Sequence, residues 1–75
     1  MEWKPGTVVL GLCGREKGRR LCVVGLKDGY LLLCDGKERK LECPKRKNPK
    51  HVEALPIFLE DRQLQTNKRL RQALK

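Results

Sequence analysis

Gly6-Thr7-Val8-Val9-Leu10-Gly11-Leu12-Cys13-Gly14-Arg15-Glu16-Lys17-Gly18-Arg19-Arg20-Leu21-Cys22-Val23-Val24 is the stretch that decides the fold. Two apolar runs, each rich in β-branched residues, flank a short loop bounded by Gly14 and Gly18. Glycine accepts a positive φ and lets another backbone come close, so the stretch reads as a β-hairpin. Its apolar residues are nearly continuous rather than alternating, which predicts strands covered on both faces. Gly11 breaks the first run and predicts a bulge or a close backbone approach. The loop itself carries Arg15, Lys17, Arg19 and Arg20, with Glu16 as the one acid among them.

Working outward, the spacing predicts a first strand over Thr7–Cys13 and a second over Arg20–Leu26. Lys27-Asp28-Gly29 is a tight turn, Asp-Gly being a strong hairpin signal. A third strand is predicted over Tyr30–Cys34, a turn at Asp35-Gly36, and a short, more polar edge strand over Arg39–Cys43. Pro44, which has no N–H for a ladder, ends that strand. Pro44–Lys50 is then expected to be an irregular, extended connection with its cations displayed. His51–Leu55 is expected to add a fifth strand against the first, ended by Pro56. Short strands at this spacing, joined by tight turns, predict a mainly β chain folded as a small antiparallel barrel. Beyond it, Thr66 or Asn67 is a candidate N-cap for a short helix from Asn67 to Leu74. With Leu70, Ala73 and Leu74 on one side, that helix is expected to dock weakly or fray. The expected division is a barrel over residues 1–56 and a C-terminal extension over 57–75.

The chain has 75 residues, enough for one thin core and too few for a cleft walled by two subdomains. Trp3, Tyr30 and Phe58 are its only aromatics, so Leu and Val must build the core. Eighteen Lys and Arg against nine Asp and Glu give a net charge of +9, and the pI is about 9.8. Between Arg39 and Lys50 there are six cations and one acid, Glu42. Clustered basic charge of this kind is the electrostatic footprint of a nucleic-acid binder, and the arginine content favours bidentate contacts to phosphate. No apolar run is long enough to span a membrane, and Met1–Pro5 holds no signal-peptide core. Both point to a cytoplasmic protein with reduced cysteines.

The motif Gly6-Thr7-Val8-Val9 followed by Gly14-Arg15-Glu16-Lys17-Gly18-Arg19 closely resembles KOW. Asp35-Gly36-Lys37, Arg39-Lys40-Leu41 and Pro44-Lys45-Arg46-Lys47-Asn48-Pro49-Lys50-His51 extend the match to the segment after the hairpin in small bacterial KOW-domain RNA-binding proteins. These are similar to KOW-bearing large-subunit ribosomal proteins of archaea and eukaryotes. The resemblance covers roughly Gly6–Leu55; Pro49 departs from it, standing where an apolar residue such as Leu is expected. It implies an SH3-like barrel that binds RNA through the face carrying the Gly14–Arg20 loop.

The candidate RNA-binding residues are therefore Arg15, Lys17, Arg19 and Arg20 in the loop, with Arg39, Lys40, Lys45, Arg46, Lys47, Asn48, Lys50 and His51 in the second basic segment. If about five cations each meet a phosphate, log K falls against log[salt] with a slope of roughly −3.5 to −4.5. His51 is a candidate for stacking on a base or donating to a phosphate. Asn48 suits either a base edge or a turn. Trp3 and Tyr30 could stack on unpaired bases, but packing at the core or an edge is the expectation for both. The expected partner is RNA, ribosomal RNA first and with it the large ribosomal subunit. No membrane partner is expected, and the free protein is expected to be monomeric. Two other readings fit the same residues: a transcription elongation accessory, and a protein-interaction module with an acidic partner.

Cys13, Cys22, Cys34 and Cys43 contain no C-x₂₋₄-C pair of the kind zinc sites use, so they are expected to be core thiols. No nucleophile, base and orienting group stand in a recognisable order, so neither catalysis nor a cofactor is expected.

Overall fold

A computed structural model describes residues 3–75, and the reading of a leaderless start therefore lies in part outside the described residues, at Met1 and Glu2. Five strands form one antiparallel sheet: β1 (Thr7–Gly11), β2 (Arg20–Lys27), β3 (Tyr30–Cys34), β4 (Lys45–Lys47) and β5 (Val52–Phe58). Their order is β4-β3-β2-β1-β5, followed in the chain by one helix, α1 (Asn67–Ala73). In a flat sheet β4 and β5 would lie about 19 Å apart. Yet the chain passes from Lys47 to Val52 through a single 3₁₀ turn, Pro49–His51, which rises only about 2 Å per residue. The sheet must therefore curl, and the result is a small, open SH3-like antiparallel sheet of the class the strand spacing predicts.

Both faces of the sheet are covered, which is why its apolar runs do not alternate. Val9, Leu21, Val23, Leu31, Leu33 and Val52 fill the inside of the curl, with Trp3 packed against them. On the opposite face Cys22 and Cys34, directly paired across β2 and β3, are sealed by Leu70 of α1. All three are fully buried. The helix thus docks firmly rather than fraying. Its seven residues are too few to stand alone, and the apolar contact supplies what their propensity cannot. Thr66 caps it by accepting a hydrogen bond from the Arg69 N–H at 3.1 Å. Asn67 sews the helix to the chain before β4: Oδ1 accepts from the Leu41 N–H at 2.7 Å, and Nδ2 donates to Glu42 at 2.6 Å.

Those contacts explain why Arg39–Cys43 is not the fourth strand. Asp35 Oδ1 accepts from the N–H groups of Lys37 and Arg39, both at 2.8 Å, and winds this segment into a turn. Leu41 packs toward the helix instead of pairing with β3. The edge of β3 is taken after Pro44, where Leu33, Leu32 and Leu31 stand opposite Lys45, Arg46 and Lys47. The expected irregular basic connection is thus in part a strand. Nor does Pro56 end β5. Thr7 pairs with Phe58 and Val9 with Ala54, so three residues of β5 bulge opposite Val8, and Pro56 sits where the ladder asks for no N–H. The first strand is shorter than expected, ending at Gly11 and leaving Leu12 and Cys13 exposed. Gly11 itself marks a close approach, since a Cβ there would lie 2.1 Å from the Glu16 carbonyl oxygen.

Candidate nucleic-acid interface

The loop between β1 and β2 opens with a 3₁₀ turn, Gly14–Glu16, that rotates Glu16 inward while Arg15 and Lys17 face solvent. Glu16 is therefore not the acid that offsets its neighbours. Its side chain is only 7% exposed, and its two oxygens accept from Lys47 Nζ at 3.2 Å and from Arg39 Nη2 at 3.1 Å. Lys47 Nζ also donates to the Cys13 carbonyl at 3.0 Å. Burial would raise the Glu16 carboxyl above its ordinary range, but the hydrogen bonds and charge of Lys47 and Arg39 outweigh it and hold the group below that range.

This triad ties together three parts of the chain: the loop, the turn before β4, and β4 itself. Arg19 adds a second tie through its salt bridge to Glu38. At the base of the loop the Leu12 N–H donates to the His51 carbonyl at 2.9 Å, which anchors the 3₁₀ turn after β4 beside it. The two basic segments recognised in the sequence thus meet around one buried carboxylate.

The twelve candidate residues divide by what they touch. Arg15, Lys17, Arg20, Lys40 and Lys50 are exposed, and none has a carboxylate partner among the described residues. Lys45 is half-buried at the start of β4, also without an acid. Arg46 lies over the Tyr30 ring, its guanidinium carbon 5.0 Å from the centroid, so that Tyr30 forms an exposed stacked pair rather than a core residue. His51 is exposed. Asn48 takes the turn-forming role: its Oδ1 accepts from the Lys50 N–H at 2.9 Å and caps the 3₁₀ turn. Arg39 and Lys47 are spent on Glu16, and Lys47, only 8% exposed, is sealed inside rather than displayed.

Three further cations, outside the twelve candidates, stand close to the loop. A cleft of about 530 Å³ opens between Gly18–Arg20, the Asp35–Glu38 turn and the end of α1, and Lys37, Arg71 and Lys75 line it together with Arg19 and Arg20. The available signal was the i, i+4 spacing of Arg71 and Lys75 with no acid between them.

The cysteines split in two. Cys22 and Cys34 are the expected core thiols, and burial pushes them up to about 12 and about 11. Cys13 and Cys43 are exposed, because the segments holding them are loops rather than strands. Among the described residues no group of three or more metal-ligating side chains comes together, and no helix is long and apolar enough to cross a membrane. No family model matches the chain, and no curated protein matches it.

Proposed function

We propose that the chain is an RNA-binding protein of the KOW type, and that its first partner is ribosomal RNA. The observation that carries the reading is the Glu16 triad. By burying the one acid of the loop, the fold removes its charge from the surface and draws the second basic segment alongside. Arg15, Lys17, Arg20, Lys40 and Lys45 are left unneutralised around it among the described residues. Such a surface gains affinity from phosphates without reading sequence, so discrimination would rest on RNA shape and on a few base contacts from groups such as His51 or the Arg46–Tyr30 pair.

The test is charge reversal on purified protein. Arg15→Glu with Lys17→Glu changes two exposed side chains that make no ion pair among the described residues, and it is expected to weaken binding to ribosomal RNA by an order of magnitude or more while the circular dichroism spectrum stays that of the folded protein. Binding that survives both the reversal and a rise in salt refutes the phosphate-docking reading. Sedimentation of a native lysate supplies the second arm. Co-migration with the large ribosomal subunit, lost as salt rises, supports ribosomal RNA as the partner. A protein that stays at the top of the gradient in every salt excludes stable attachment to the ribosome.

A further inference from the structure

The geometry points to a second RNA contact surface, the cleft between the basic loop and the end of α1, in which Arg20, Lys37, Arg71 and Lys75 clamp a phosphate run. This rests on the RNA-binding reading and extends it to the C-terminal segment, which carries none of the motif residues.

Five cationic and two acidic side chains line the cleft, an excess of three positive charges. Asp35 accepts from two backbone N–H groups, and Glu38 accepts from Arg19. The remaining four cations have no carboxylate partner among the described residues. They come from three separate parts of the chain: the start of β2, the turn after β3, and the last turn of α1 with the residues beyond it. Asp35 and Glu38 offset only two of the five positive charges, so the surplus on the facing walls favours a further anion between them.

The shape selects the kind of anion. A small anion is held by donors that converge from a desolvated wall, whereas the four cations here sit on exposed side chains around an open cleft. Long, exposed side chains around an open trough suit a polyanion, which gains by many weak contacts and by release of its counterions. Arg19 and Arg20 belong both to the loop and to the cleft, so a strand of RNA lying on the loop is led directly toward the helix. The positions are also mechanically fixed. Leu70 in the core and Asn67 on Leu41 and Glu42 hold α1 against the sheet, so Arg71 and Lys75 are presented rather than trailing.

The experiment uses the full chain and a fluorescein-labelled RNA stem-loop, with purified ribosomal RNA as a second probe. Anisotropy titrations are run across a range of KCl. Arg71→Gln with Lys75→Gln keeps helix propensity, since Gln ranks with Arg and Lys. Losing two phosphate contacts lowers the salt slope by about 1.4–1.8 and weakens binding roughly 30-fold at about 0.1 M salt. Lys27→Gln with Lys68→Gln removes the same charge from exposed positions outside the cleft and is expected to cost only a few-fold. Equal losses in the two pairs mean that net charge alone matters, and overturn the cleft. So does an unchanged affinity in Arg71→Gln/Lys75→Gln when Arg15→Glu/Lys17→Glu weakens binding, an outcome that leaves the RNA reading standing. If the wild-type protein binds neither probe in a salt-dependent way, the RNA reading itself falls. Should the helix pair lose its fold by circular dichroism, Arg20→Gln with Lys37→Gln tests the opposite wall with the same expected loss.

Discussion

Replacing Glu16 by Ala should do more damage than its place in a surface loop suggests. The carboxylate holds two cations, and the Lys47 side chain beneath it is only 8% exposed. With Glu16 gone, the Lys47 ammonium keeps one acceptor, the Cys13 carbonyl at 3.0 Å, and faces a site that water does not freely enter. Arg39, at 31% exposure, can turn outward; Lys47 cannot. Breaking one side of a buried pair in this way costs about 3–5 kcal/mol. For a domain of this size each kcal/mol moves the midpoint by about 4–8 °C, so a drop on the order of 20 °C is expected. Urea unfolding followed by circular dichroism measures it, and a double substitution isolates the cause. Lys47→Met on the Glu16→Ala background removes the orphaned charge and should return stability to within about 1–2 kcal/mol of wild type, since apolar replacement of a whole buried pair is often neutral. The pH dependence carries the same signature. Because the folded carboxyl is held below its ordinary 4.5, its contribution is fully present above that pH and is lost as pH falls through the depressed folded value. Glu16→Ala should flatten the acid limb of the stability curve. A Glu16→Ala protein within about 1 kcal/mol of wild type, or a double variant no better than the single one, would refute the argument that an orphaned buried cation drives the loss.

The rest of the structure makes equally direct predictions. A dithiobis-nitrobenzoate assay on native protein should show two fast thiols, Cys13 and Cys43, and two that react only on unfolding. Cys22 and Cys34 are buried and pushed up to about 12 and about 11; four fast thiols would mean that the helix does not seal the sheet. Gly29→Ala and Gly36→Ala should differ although both residues have φ near +80°. A Cβ at Gly29 meets nothing, so its cost is the backbone term alone, about 1–2 kcal/mol. A Cβ at Gly36 would lie 2.2 Å from the Asn67 carbonyl oxygen. That variant should lift α1 and open Cys22 and Cys34 to the thiol reagent, and similar thiol protection in both variants would refute the contact.

What could be read in the sequence was local. Hairpin turns are written in two or three adjacent residues, so the β1–β2 and β2–β3 hairpins followed from Gly14–Gly18 and Asp28-Gly29. The two-sided cover followed from apolar runs without alternation, and the start of the helix was narrowed to Thr66 or Asn67, of which Thr66 is the cap. The basic loop was legible as a candidate surface for the same reason, since its charge lies within seven consecutive residues. Tertiary structure decided whatever depended on partners distant in the chain. The side on which Glu16 lies is set by Lys47 and Arg39, and those contacts change Lys47 from a displayed cation into a buried one. The fourth strand moved from Arg39–Cys43 to Lys45–Lys47 because Asn67 claims Leu41 and because the edge of β3 accepts whichever segment reaches it. Arg71 and Lys75 joined the loop's cleft only because Leu70 finds Cys22 and Cys34. Turn chemistry acts between neighbours and leaves its mark in the residues themselves. Burial and ion pairing act between segments that meet only once the sheet has curled.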